Sequence, residues 1–108
     1  MTVATLKSTL NLEAAAMADG ERVIEGAYCG DLLSWVMGRA KANQVWITIM
    51  TNINVLAVAS LVDFSCVIIA EGARLSPEDT DEANQKGINV LYSDMPVFEI
   101  AAALSKLI

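Results

Sequence analysis

Side chains able to bind or react gather in four short polar runs: Cys29-Gly30-Asp31, Thr51-Asn52-Ile53-Asn54, Glu71-Gly72 and Ser93-Asp94. Their chemistry is hydrogen bonding more than acid–base work. Ser, Thr and Asn side chains donate and accept, and glycine lets backbone N–H groups approach a ligand closely. Three of the runs open a predicted helix, whose first N–H groups lack partners and can hold an anion or a polar group. The same residues are also ordinary helix caps, so each has a plain structural role open to it. Asp31 and Asp94 are the residues an acid–base enzyme would have to use, but no spacing makes them a pair. The sequence has no histidine, the commonest general base and a common metal ligand. It also lacks a phosphate loop, a dinucleotide glycine motif, a nucleophile elbow and an HExxH pair. A non-catalytic protein is therefore expected, with no metal site and no assigned cofactor.

Cys29 and Cys66 form neither a CxxC pair nor a disulfide framework, so a reducing compartment is the simple reading. Cys29 adjoins a helix start, a setting that can lower a thiol pKa, but no cation lies near it in sequence; a passive cysteine is expected. Cys66 lies within an apolar run and reads as core. With 7 basic and 13 acidic residues, the net charge is −6. No basic stripe is present to hold nucleic acid phosphates or an anionic membrane surface. The 108 residues suit a single domain spanning 1–108. For that length the chain is apolar, at 55% hydrophobic residues and a mean hydropathy of +0.47. Surplus apolar surface implies a protein partner or a second copy, with a homodimer favoured.

The elements that must position the polar runs follow from periodicity and punctuation. Thr2–Leu10 reads as an amphipathic helix, Asn11–Met17 as a strand, Asp19-Gly20 as a turn, and Arg22–Tyr28 as a second strand. Asp31 is placed as the N-cap of a helix over Leu32–Lys41, which carries Ser34, Trp35 and Met37. Val45–Met50 is a β-branched strand, Thr51-Asn52 the next cap, and Ile53–Val62 a helix apolar nearly all round. Cys66–Ala70 reads as a strand buried on both faces. Val45–Ala70 carries a single charge, Asp63, but Asn52, Asn54 and Asp63 interrupt it. It is read as strand, buried helix and strand, not as a membrane span. Ser76-Pro77-Glu78-Asp79 is a strong helix start and Lys86-Gly87 a strong stop. Ile88–Tyr92 is the last strand, and Ser93-Asp94 is placed as the cap of a helix over Met95–Leu107. This alternation predicts an α/β fold: a layered, mostly parallel sheet of four to five strands with flanking helices. Met1–Lys7 has no signal-peptide pattern, so a cytoplasmic location is expected.

Several runs taken in order resemble the DRTGG domain, which is similar to the N-terminal domain of HPr kinase/phosphorylase. They are Gly30-Asp-Leu-Leu-Ser-Trp-Val-Met37, Ile49-Met-Thr-Asn-Ile-Asn-Val55, Val67-Ile-Ile-Ala-Glu-Gly72, Ala83-Asn-Gln-Lys-Gly-Ile-Asn-Val90 and Tyr92-Ser-Asp94. The resemblance departs at the letters that name the family. Thr51-Asn52 stands where the family has Asp-Arg, and Ala70-Glu71-Gly72 where it has Thr-Gly-Gly, so only Gly72 matches. The resemblance implies a stand-alone, divergent regulatory module of the HPr-kinase N-terminal type, not a kinase. It also implies possible company with redox complexes.

These readings converge on parallel strands that end at one edge. The expected function is a ligand-sensing module for a nucleotide-like or anionic small molecule. Its pocket would be lined by Gly30, Asp31, Ser34, Thr51, Asn52, Asn54, Glu71, Gly72, Ser93 and Asp94. The alternative is an interaction or structural subunit of a larger complex with no small ligand.

Overall fold

A computed structural model describes residues 1–108. Its elements run α1 (Val3–Thr9), β1 (Glu13–Ala16), β2 (Ala27–Cys29), α2 (Leu33–Arg39), β3 (Val45–Thr48), α3 (Asn54–Val62), β4 (Cys66–Ile69), α4 (Pro77–Lys86), β5 (Val90–Tyr92) and α5 (Val97–Ser105). The strands form one sheet in the order β1-β5-β4-β3-β2. β2, β3, β4 and β5 are mutually parallel, and β1 runs antiparallel to β5. The expected α/β class and mostly parallel sheet are what the chain forms.

The layering follows from strand alternation. Successive side chains on a strand point to opposite faces, so Trp46, Val67, Ile69, Val90 and Tyr92 lie under α2, α3 and α4. Val45, Ile47, Cys66, Ile68 and Leu91 meet α1 and α5 on the other face. Because β2 to β5 advance in one direction, right-handed crossovers put α2, α3 and α4 on the same side. Trp46 is fully buried and stacks on Phe64, with ring centroids 5.3 Å apart.

Helix ends decide where the loops sit. Ser76 caps α4 by accepting the Asp79 N–H (3.1 Å), and Gly87, at φ +71°, ends it. Both agree with the sequence pattern. The other predicted caps need correction. α2 starts after Leu32 with no side-chain cap, because Asp31 is used across the sheet instead. Its Oδ1 accepts from Thr48 Oγ1 (2.7 Å) and from the Ile49 N–H (3.0 Å). Asn52 makes a local turn by accepting the Asn54 N–H (2.9 Å), while Ile53 precedes α3. Ser93 accepts the Met95 N–H (3.1 Å), and α5 begins only after Pro96. The predicted strand over Arg22–Tyr28 is also too early. Only Ala27–Cys29 pairs with β3, while Val23 makes an isolated bridge to Thr2. Arg22 is drawn elsewhere, into an ion pair with Asp63 (2.9 Å) and a bond to the Asn43 side chain.

Candidate functional site

Parallel topology brings all four predicted polar runs to the carboxyl edge of the sheet. They do not form one pocket there. Asp31 is turned toward Thr48, whose buried hydroxyl also accepts the Met50 N–H (3.2 Å). Trp46 Nε1–H holds the Gly30 carbonyl (2.9 Å). Gly30 and Asp31 thus lock β2 to β3. Ser34, Asn52 and Asn54 are exposed and Thr51 is partly exposed, around the starts of α2 and α3. None of these six residues lines a cleft.

The β4 and β5 ends are different. The chain leaves β4 for α4 on one face and leaves β5 for α5 on the other, the divergence that opens ligand crevices in parallel sheets. Here the two loops are laced together. The Glu71 N–H donates to the Met95 carbonyl (3.0 Å), and the Gly72 N–H to the Ser93 carbonyl (3.1 Å). Glu71 and Gly72 both have positive φ, at 58° and 76°, which turns these successive N–H groups toward the β5 loop. A side chain at position 72 would meet Asp94 Oδ1 at 3.4 Å in that strained backbone. Glycine at position 72 thus answers to the left-handed backbone at this loop.

Lacing these loops leaves the open space on the β1 side of β5. A cleft of about 360 Å³ lies between Leu10, Glu13, Arg74, Tyr92, Asp94 and Met95, with Ser93 also in its lining. A second, shallower cleft of about 400 Å³ shares Glu13, Arg74 and Tyr92 and extends along α4 past Thr80. Arg74 is central to both. Its guanidinium binds Glu13 through two bonds (2.6 and 3.0 Å) and lies 4.6 Å over the Tyr92 ring. The Tyr92 hydroxyl accepts the Leu75 N–H (3.1 Å), which fixes the ring beneath the arginine. The guanidinium holds the Glu13 carboxyl below its ordinary range. In turn Glu13 is the first cause that holds Arg74 protonated more firmly. The cleft offers hydroxyl and carboxylate acceptors and one planar cation, with the Tyr92 ring buried beneath that cation.

Of the predicted residues, Ser93 and Asp94 line this cleft; Glu71 and Gly72 do not, and touch it only through their backbone bonds to the loop after β5. Sequence reasoning did not single out Glu13, Arg74 or Tyr92. Arg74 carried a signal nonetheless, as the only basic residue between Glu71 and Gln85. Glu13 reaches the site only because β1 pairs antiparallel with β5, a long-range pairing no local pattern announces.

Cys29 is not poised for nucleophilic work. Partial burial first, and the Asp31 carboxylate second, push its thiol above the usual value. Burial pushes Cys66 up to about 12. No helix is long and apolar enough to cross a membrane.

Comparison with known proteins finds this fold in a regulatory protein. The chain matches the CBS and DRTGG domains of the regulatory region of a Clostridium perfringens pyrophosphatase, a structure complexed with its activator, diadenosine tetraphosphate. The TM-score is 0.73 at 15% sequence identity, over 94% of this chain and 44% of that one. This chain therefore spans less than half the length of that neighbour. The likeness supports a DRTGG-like fold. No family model and no curated protein matches the sequence.

Proposed function

We propose that this chain is a non-catalytic, ligand-sensing regulatory module of the DRTGG kind, acting as a single domain. Its ligand is a polar, nucleotide-like small molecule. The observation that carries the reading is the cleft beside β5, where Arg74, Tyr92, Ser93 and Asp94 converge beyond a strand's carboxyl end. The likeness to a regulatory region complexed with a nucleotide activator supports it. Leu10 and the flat guanidinium of Arg74, seated on the Tyr92 ring, suit a base or another flat moiety, while Ser93 and Asp94 suit hydroxyls and ring nitrogens. Arg74 suits a single anionic group, but Glu13 already holds it. With Glu13 and Asp94 both acidic, one phosphate fits the charge balance better than a long polyphosphate. Gly30, Asp31, Ser34, Thr51, Asn52 and Asn54 belong, in this proposal, to the same edge but to a second surface.

The test is thermal unfolding with adenosine, AMP, ATP and diadenosine tetraphosphate in turn. A rise in midpoint with AMP, lost in Arg74→Ala and kept in Asn52→Ala, is the expected result. No shift with any compound, or a shift indifferent to Arg74, would reject the reading. A second reading, an interaction subunit without a small ligand, draws on the exposed Leu32, Trp35 and Ile53.

A further inference from the structure

We propose that the free edge of β2 is the docking site for a second copy of this chain, with the two β2 strands pairing antiparallel about a two-fold axis at Tyr28. The backbone geometry is self-complementary. The Gly26 carbonyl accepts from the Val45 N–H (2.9 Å), and the Gly30 N–H donates to the Ile47 carbonyl (3.2 Å). Strand alternation therefore turns the N–H and C=O groups of Ala27 and Cys29 away from β3, and both residues are exposed. In an antiparallel copy, Ala27 lies opposite the partner's Cys29 and the reverse, each pair exchanging two hydrogen bonds, while Tyr28 faces its own twin. A two-fold interface requires this property of a surface.

The strand itself also lacks the devices that keep exposed edges apart. Lysines, prolines and bulges are the usual ones, and Ala27-Tyr28-Cys29 has none; its shortness and the flanking carboxylates Glu25 and Asp31 are its protection. The start of α2, which follows it in sequence, exposes apolar side chains, with the Arg39 guanidinium 3.7 Å over the Trp35 ring. Leu32 and Trp35 are more than half exposed, and Ile49 is 42% exposed. Both flanking carboxylates are engaged within the chain: Glu25 accepts from the Asn43 side-chain amide (3.1 Å), and Asp31 from Thr48 and the Ile49 N–H.

Charge selects a second copy as the occupant. Two chains of net charge −6 repel unless their acids are kept apart. Residues 23–62 contain two acids, Glu25 and Asp31, balanced by Arg39 and Lys41; residues 71–94 contain six acids against Arg74 and Lys86. Pairing through β2 joins the two acid-poor halves and sends the acidic α4 regions outward. In a continuous ten-stranded sheet the outer strands stand about 43 Å apart. That is several times the Debye length of about 8 Å in physiological salt.

This inference is independent of the ligand reading. The test is sedimentation of the full chain across a concentration series, with Ala27→Pro and Trp35→Glu as variants and Asp81→Asn as control. Ala27→Pro removes an outward N–H only and leaves the bonds to β3 in place. The expected result is a wild-type and control dimer, with both edge variants monomeric and normal in circular dichroism. If Ala27→Pro fails to fold, amide exchange in the wild type decides: slow exchange at Ala27 and Cys29 in the dimer supports the pairing. A monomeric wild type, a dimer indifferent to both variants, or fast exchange at those amides would overturn it.

Discussion

The two outer strands meet solvent on different terms. β1 brings Glu13 and three alanines, breaks its register between Ala14 and Ala16, and is flanked by α4 and by the Glu13–Arg74 pair. β2 brings Ala27, Tyr28 and Cys29 in regular register, with no charge and no bulge. At the β1 edge, irregular pairing and charge leave a polar cleft. At the β2 edge, regular pairing and apolar neighbours leave a surface for another strand. In the two proposals together, one sheet separates small-molecule chemistry from protein docking, and the distribution of acids follows the same division.

Substitutions that act on one edge and not the other sharpen this contrast. The largest effect is expected from Trp46→Ala, which removes the ring stacked on Phe64 and the donor to the Gly30 carbonyl. A loss of roughly 3–5 kcal/mol is expected from the emptied core. Denaturant unfolding measures it, and amide exchange should show the β2 end loosening before β5. Thr48→Val comes next. It strips Asp31 of its hydroxyl donor and the Met50 N–H of its acceptor, for a loss of roughly 1–3 kcal/mol. The cleft beside β5 should be unaffected, so a weaker ligand response in this variant would show that the two edges are coupled. Tyr92→Phe acts on the other side. Losing the bond to the Leu75 N–H costs about 1 kcal/mol and frees the ring under Arg74, so ligand response should fall while β2-mediated association stays intact. The smallest effect on stability is expected from Arg74→Gln, since the pair it breaks is exposed. This effect has a pH signature. Glu13 is held below the ordinary carboxylate range, so its contribution is complete above that range and vanishes as pH falls through the lowered value. Unfolding midpoints of wild type and Arg74→Gln should therefore differ slightly at neutral pH and converge in acid.

Local chemistry made much of this legible from sequence. Ser76, Pro77 and Gly87 fix α4 by interactions within one turn, and the apolar runs at Val45 and Cys66 could only be strands covered on both faces. What stayed hidden depends on distant partners. Asp31 has the form of a helix cap, yet Thr48 and Ile49 capture it, because a carboxylate near a buried hydroxyl bonds across the sheet in preference to its own helix. Arg22 reads as part of a strand until Asp63 and Asn43 draw it away. The cleft itself is made by Glu13, Arg74 and Tyr92, three residues from separate segments that meet only through the antiparallel pairing of β1 with β5. The polar runs share the carboxyl edge of the sheet, and long-range pairing decides which part of that edge is open.

The central claim is that the β5 side of the carboxyl edge is the sensing surface. Backbone amide resonances followed by NMR during titration with AMP test it most directly. The account predicts shifts centred on residues 11–13, 72–75 and 92–95, with Asp31, Asn52 and Asn54 unmoved. Shifts centred on those three residues instead, or none at saturating nucleotide, would contradict it.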